Sequence, residues 1–216
     1  QLKILGVKKL VTTIPTMVSV DENDEAFNKP TKPIGPFYER DVAEGKKRAL
    51  GWDIVEDSSR GYRRVVASPE PKNILQLEII KKCVELGIVI IALGGGGIPV
   101  MINQKGEIKG LEAVIDKDRS SALLANDLKV DLFIISTDTD MVYINYKTKN
   151  QKGIKKATVS EMQKYYDEGN FPAGSMGPKI ESVIKFISNG GKKAIITSFE
   201  LLMDALEEKA GTLIVP

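Results

Sequence analysis

Four glycines stand in a row at Gly94, Gly95, Gly96 and Gly97, directly after the apolar run IVIIAL at 88–93. Backbone N–H groups without side chains beside them approach a ligand closely, and a string of them forms a nest suited to phosphate or another oxyanion. The plainer alternative is a tight turn in a sheet. No GK[ST] follows, so the run is not a Walker loop. A second group, Asp116, Lys117 and Asp118, closes the segment EAVIDKD at 112–118. Lysine neutralises transferring phosphoryl oxygens, and aspartate orients such a lysine or helps to hold Mg2+. Charged residues at a strand exit are also commonly just solvated. Lys179, in SMGPK at 175–179, falls in the first turn of an expected helix. The macrodipole disfavours a cation there by roughly 0.3–1 kcal/mol. That placement points to a nearby anion, against the reading of a surface lysine. Lys32, in TKPIGPFY at 31–38, is restricted by prolines, though a solvated lysine on a structural loop fits equally.

Composition removes several chemistries. The chain has 216 residues and no histidine, which excludes Ser/His/Asp and Cys/His catalysis and the usual zinc sites. Cys83 is the single cysteine, so no internal disulfide forms. It falls in a helical apolar pattern and reads as a buried, inert thiol. The balance of 31 basic and 29 acidic residues gives no support to a nucleic-acid or membrane-surface role, with a local basic cleft left open. No apolar run approaches the ~20 residues of a membrane span, and no signal peptide opens the chain. A soluble intracellular protein is expected. The opening QLKILGVKKL reads as the tail of a helix running into a strand, without an initiator Met, and a preceding portion is expected.

The elements that must position these groups alternate along the chain. LVTTIPTMVSV at 10–20 predicts a strand with an edge or bulge at Pro15, and the proline-rich stretch 21–38 an ordered, extended loop without regular structure. A helix at 39–50 stops at Gly51, and two short strands flank Arg60 and Gly61. Residues 21–66 together make a small lobe. An amphipathic helix spans 73–86, closed by Gly87, and delivers the buried strand 88–93. A hairpin follows the glycines, Ala113, Val114 and Ile115 read as a strand segment, and 119–129 is a helix. The strand DLFIIS at 131–136 runs into TDTD at 137–140, which faces a ligand together with MVYIN. Helices at 159–168 and 178–189 precede a final strand, helix and strand. This rhythm predicts an α/β fold, a mainly parallel central sheet with helices on both faces.

Five segments carry a resemblance: NKPTKPIGPFY at 28–38, RRVVASPEP at 63–71, ALGGGGIPV at 92–100, EAVIDKD at 112–118 and AGSMGPK at 173–179. In that order the chain resembles the carbamate kinases of the amino-acid kinase family. The resemblance implies one amino-acid kinase domain over 1–216, incomplete at its N-terminus, with 21–66 as a protruding subdomain that closes over the substrate and brings Lys32 in. It implies reversible phosphoryl transfer between ATP and carbamate, giving ADP and carbamoyl phosphate, and it suits ATP synthesis from carbamoyl phosphate as in arginine fermentation. Lys32, Lys117 and Lys179 would form the positive cluster around the transferring group, with Asp118 aligning them. Gly94, Gly95, Gly96 and Gly97 would lie on the carbamoyl phosphate side. Asp116, Asp138, Tyr143, Ala173, Gly174, Ser175, Met176 and Gly177 would lie on the nucleotide side. Mg2+ would accompany ATP or ADP with no dedicated metal ligands in the chain, and a cytoplasmic homodimer is implied. The family opens with a strand and a glycine loop containing GGN. Nothing of that kind precedes Leu10, so exposed apolar sheet edges and inactivity of the 216-residue segment alone are expected. A related kinase of another small acid, and a noncatalytic nucleotide or anion binder, are the competing readings.

Overall fold

The computed structural model describes residues 2–57, 60–172 and 175–216. The chain forms two compact units, Gln1–Ser120 and Ser121–Pro216. In the first, Pro15 divides the expected strand into β1 (Val11–Thr13) and β2 (Met17–Ser19). A lobe follows: β3 (Lys32–Tyr38), α1 (Arg40–Leu50), β4 (Asp53–Glu56) and β5 (Tyr62–Val66). The chain then forms β6 (Asn73–Ile74), α2 (Leu77–Glu85), β7 (Val89–Ile91), β8 (Ile98–Ile102) and β9 (Ile108–Gly110). Helix α3 (Lys117–Asp127) carries it into the second unit.

The lobe departs from the sequence expectation. Pro33 and Pro36 lie inside β3, which pairs antiparallel with β5 in the order β3-β5-β4. An edge strand tolerates residues without an N–H on its open side. The register shifts between Ile34 and Tyr38, where Gly35 has φ +71°. Little apolar area is available to such a small sheet, with Ala43 and Val65 as its buried side chains. Cations stacked on rings supplement them: Arg64 lies 4.8 Å from the Trp52 ring and Lys46 5.1 Å, while Arg60 sits 4.7 Å from Phe37.

Two small sheets frame the glycine run. β1 pairs in parallel with β7, and β2 pairs in parallel with β8 and antiparallel with β6. The Pro15 break therefore lies opposite the glycines, since each interruption separates the same two pairings. Helix α2 begins at Leu77, later than expected, because Asn73 and Ile74 pair with Ser19 and Val18. Cys83 on this helix is half-buried rather than buried. β7 was expected inside a sheet, but its sheet has two strands, and Val89 and Ile91 remain 39% and 56% exposed. Leu10 and Val11 beside them are exposed too.

The second unit contains β10 (Phe133–Thr137), β11 (Val142–Ile144), β12 (Lys152–Ile154), β13 (Lys156–Thr158), α4 (Val159–Asp167) and α5 (Met176–Ser188). It ends with β14 (Ala194–Ser198), α6 (Leu202–Leu206) and β15 (Thr212–Val215). The sheet order is β10-β14-β15-β13, with β10–β14 and β13–β15 parallel and β14–β15 antiparallel. Strand alternation sorts its side chains to two faces. Phe133, Ile135, Ala194, Ile196 and Ile214 meet Ile180, Val183 and Phe186 of α5 and Met162 of α4. On the other face Ile195 and Leu213 meet Ala205 of α6. The Thr158 hydroxyl accepts from the Glu161 amide and the Glu161 carboxylate accepts from the Thr158 amide, a complete capping box for α4. The α/β class expected from the sequence is the class the chain adopts. No helix among the described residues is long and apolar enough to cross a membrane.

Candidate active site

The glycine run forms a single 3-10 turn, Gly94–Gly96, entered through Leu93 at φ +56°. Two of its four glycines are required by neighbours. A Cβ on Gly96 would stand 2.1 Å from the Ile115 carbonyl oxygen, and one on Gly97 would stand 2.5 Å from Cγ2 of Val18. Their amides are occupied as well: Gly96 N–H donates to Leu93 O at 2.9 Å and Gly97 N–H to Gly94 O at 3.2 Å. Gly94 and Gly95 are exposed, with open space where a Cβ would be. An anion approaching this turn therefore meets Gly94 and Gly95.

Two buried hydroxyls hold the turn, and both escaped the sequence reading. Thr16 Oγ1 donates to Ile14 O at 2.7 Å and accepts from Leu93 N–H at 3.1 Å. Ser120 Oγ, fully buried, donates to Gly96 O at 2.7 Å. Nothing in local sequence distinguishes such hydroxyls from surface ones, because their partners lie 77 and 24 positions away.

Asp116, Lys117 and Asp118 do not end a strand. Residues 113–115 are extended chain without ladder partners, tied by Val114 N–H to Ala67 O at 2.9 Å. Asp116 caps α3: its carbonyl accepts from Ser120 N–H, and its Oδ1 accepts from the amides of Asp118 at 2.9 Å and Arg119 at 3.4 Å. Its Oδ2 accepts from the Lys32 ammonium. Burial alone would push the Asp116 carboxyl up. The hydrogen bond and charge of Lys32, with the two amides, outweigh burial and hold it below the usual carboxylate range. Lys117, in the first turn of α3, has a side chain 61% exposed and lies 3.9 Å from the largely buried Asp118 carboxylate. Arg119, one position past EAVIDKD, reaches Glu70 of RRVVASPEP at 3.6 Å, a pair that the sequence left without a role.

In the second unit the TDTD loop follows β10. Asp138 is exposed and its Oδ1 accepts from Thr137 Oγ1 at 3.2 Å. The Tyr143 hydroxyl contacts both carboxylate oxygens of Asp140 at 3.0 Å, and its ring lies over Gly153, where a Cβ would come within 3.2 Å. Burial, with the hydrogen bond and charge of Asp140, raises the Tyr143 pKa. Ser175 is exposed at the start of α5, and Met176 packs against the core cluster of this unit. Gly177 is buried and donates to Pro172 O at 2.9 Å, with no room for a Cβ. Lys179 is half-buried in the first turn of α5, as the sequence placed it. Ala173 and Gly174 lie outside the described residues.

A family profile described as "Amino acid kinase family" matches residues 31–198, more than half of the chain. The chain belongs to the amino acid kinase family. Among relatives in that family, a carbamate kinase from Pyrococcus furiosus is 49% identical over 216 residues, covering all of this chain and 68% of the relative. A carbamate kinase from Staphylococcus haemolyticus is 50% identical over 215 residues, covering 99% of this chain and 69% of that one. The solved structure of carbamate kinase from Giardia lamblia bound to citric acid superposes with a TM-score of 0.93 at 38% identity, covering 99% of this chain and 67% of that one. Family membership together with these carbamate kinase relatives makes the chain an ATP-dependent kinase.

Proposed function

We propose that this protein is a carbamate kinase: a carbamate oxygen attacks the γ-phosphorus of ATP, the bond from that phosphorus to the β,γ-bridging oxygen breaks, and ADP and carbamoyl phosphate leave. The observation that carries the reading is the match along the whole chain to a carbamate kinase at 49% identity. The chemistry suits a chain without histidine. Carbamate is already an anion, so no base must deprotonate it, and phosphoryl transfer depends mainly on positioning and charge.

Lys32, Lys117 and Lys179 supply the positive charge for the transferring group in this reading, and Asp118 aligns them. A lysine about 4 Å from a phosphoryl oxygen is worth roughly 4 kcal/mol at an effective dielectric near 20. Gly94 and Gly95, whose positions are open, offer backbone to carbamoyl phosphate, while Gly96 and Gly97 shape the turn. Asp138, Tyr143 and residues 173–177 belong to the nucleotide side. In this reading Mg2+ is carried chiefly by the nucleotide phosphates. When bound, the ion would neutralise charge on those phosphates. Residues 21–66 act as the substrate-closing subdomain, and the protein works as a cytoplasmic homodimer in arginine catabolism.

A coupled assay of the intact protein tests this. Formation of ATP from ADP with carbamoyl phosphate, and not with acyl phosphates, is expected. Turnover of acyl phosphates alone, or nucleotide binding without turnover, would replace the reading with one of its two rivals.

A further inference from the structure

We infer that Asp116 is a positioning residue for Lys32, which fixes the lobe's ammonium in the site before any substrate arrives. The inference rests on the reading above that Lys32 touches the transferring phosphoryl group. It moves Asp116 from the nucleotide side to the lobe.

Both carboxylate oxygens of Asp116 are engaged inside the protein: Oδ1 by the amides of Asp118 and Arg119, Oδ2 by the Lys32 ammonium. Its side chain is 5% exposed. A carboxylate so placed presents no free face to a nucleotide or a metal ion. An ammonium, by contrast, has three N–H donors. Asp116 takes one, and with the Lys32 side chain 27% exposed the others remain for an anion.

The location of the pair sharpens the role. Lys32 is the first residue of β3 and pairs with Val66, the last of β5, so the ammonium springs from the base of the lobe and not from its tip. Next to that base, Ala67 O accepts from Val114 N–H at 2.9 Å. The lobe base is therefore joined to residues 114–116 twice, once by backbone and once by the ion pair. Movement of the outer lobe around Phe37 leaves such a pivot in place. Closure of the lobe shields the substrate, while Lys32 already stands at its post. This differs from delivery of Lys32 by closure.

The variant Asp116→Asn in the intact protein tests the assignment. Asparagine keeps an oxygen for the two amides and so preserves the cap, but places an N–H donor before the ammonium. Because misplacement of a positioned group is costly to rate, kcat/KM for carbamoyl phosphate should fall at least about tenfold while KM for ADP stays within about twofold. In a Lys32→Met background, the same change should add less than about a twofold loss, because the two residues act as one unit. Full additivity, an unchanged kcat/KM, or a comparable rise in the ADP KM would each overturn the proposal. Hydrogen exchange of the ligand-free protein separates this from the activity reading. Faster exchange at 32–34 and 65–66 with 118–127 unchanged supports the anchor even if carbamoyl phosphate is not the substrate. Unchanged exchange at the lobe base refutes it even if it is.

Discussion

At the scale of single residues, the charges differ sharply in how they are held. Lys117 is largely solvated, Lys32 is clasped by a buried carboxylate, and Lys179 stands in the first turn of a helix, where a cation is disfavoured unless an anion answers it. Lys179→Ala is expected to lower kcat by at least about a hundredfold, as loss of one preorganised charge donor does. Steady-state kinetics on the intact protein measures this, and an unchanged rate would remove Lys179 from the site. Asp116 carries a stability prediction with a definite sign. Its folded carboxyl titrates below the ordinary value of about 3.9, so its contribution is complete above that pH and disappears as pH falls toward the depressed folded value. Urea midpoints of the natural protein and of Asp116→Asn should therefore differ most at neutral pH and converge below about pH 4. A constant gap across that range would show that the carboxylate charge is not what stabilises the fold.

At the scale of elements, the glycine turn separates two reasons for being glycine. At Gly96 a methyl group would strike the Ile115 carbonyl, and φ is +98°, so the position is closed by sterics and by backbone conformation. Gly96→Ala should destabilise by about 2–3 kcal/mol, from overpacking combined with a left-handed backbone. Gly94 has open space and a helical backbone, and Gly94→Ala should change stability by less than about 1 kcal/mol. It should still raise KM for carbamoyl phosphate if ligand backbone contact occurs there. Thermal or urea unfolding compares the two variants directly. Equal stability losses would mean that the Ile115 contact relaxes freely. The two hydroxyls beneath the turn give it a fixed shape: Thr16 bridges Ile14 and Leu93, and Ser120 ties Gly96 to α3. The turn that would meet an anion is thus anchored by groups that never touch it.

At the scale of the whole molecule, the lobe provides its own reporter. Trp52 is the chain's one tryptophan, and Lys46 and Arg64 lie over its ring. If residues 21–66 close on substrate, carbamoyl phosphate should shift or quench Trp52 emission, and Trp52→Phe should abolish the signal; silence in a protein shown to bind carbamoyl phosphate would argue against closure. The sequence by itself determined the alternation of strands and helices, the helix stop at Gly51 and the family, because these follow from backbone preferences and motifs among near neighbours; at Pro15 it predicted an edge or bulge in one strand, where the chain makes two. The absence of histidine from these 216 residues likewise removed histidine-based catalysis. Only the tertiary structure decided that the prolines of KPIGPFY belong to an edge strand, since proline marks a loop until the open side of its strand is known. Likewise, it decided that Gly96 and Gly97 are dictated by Ile115 and Val18, and that Asp116 answers Lys32 across 84 positions. Contacts at that separation leave no period in the chain; they exist only once distant segments pack, and packing is what assigns a charge its partner.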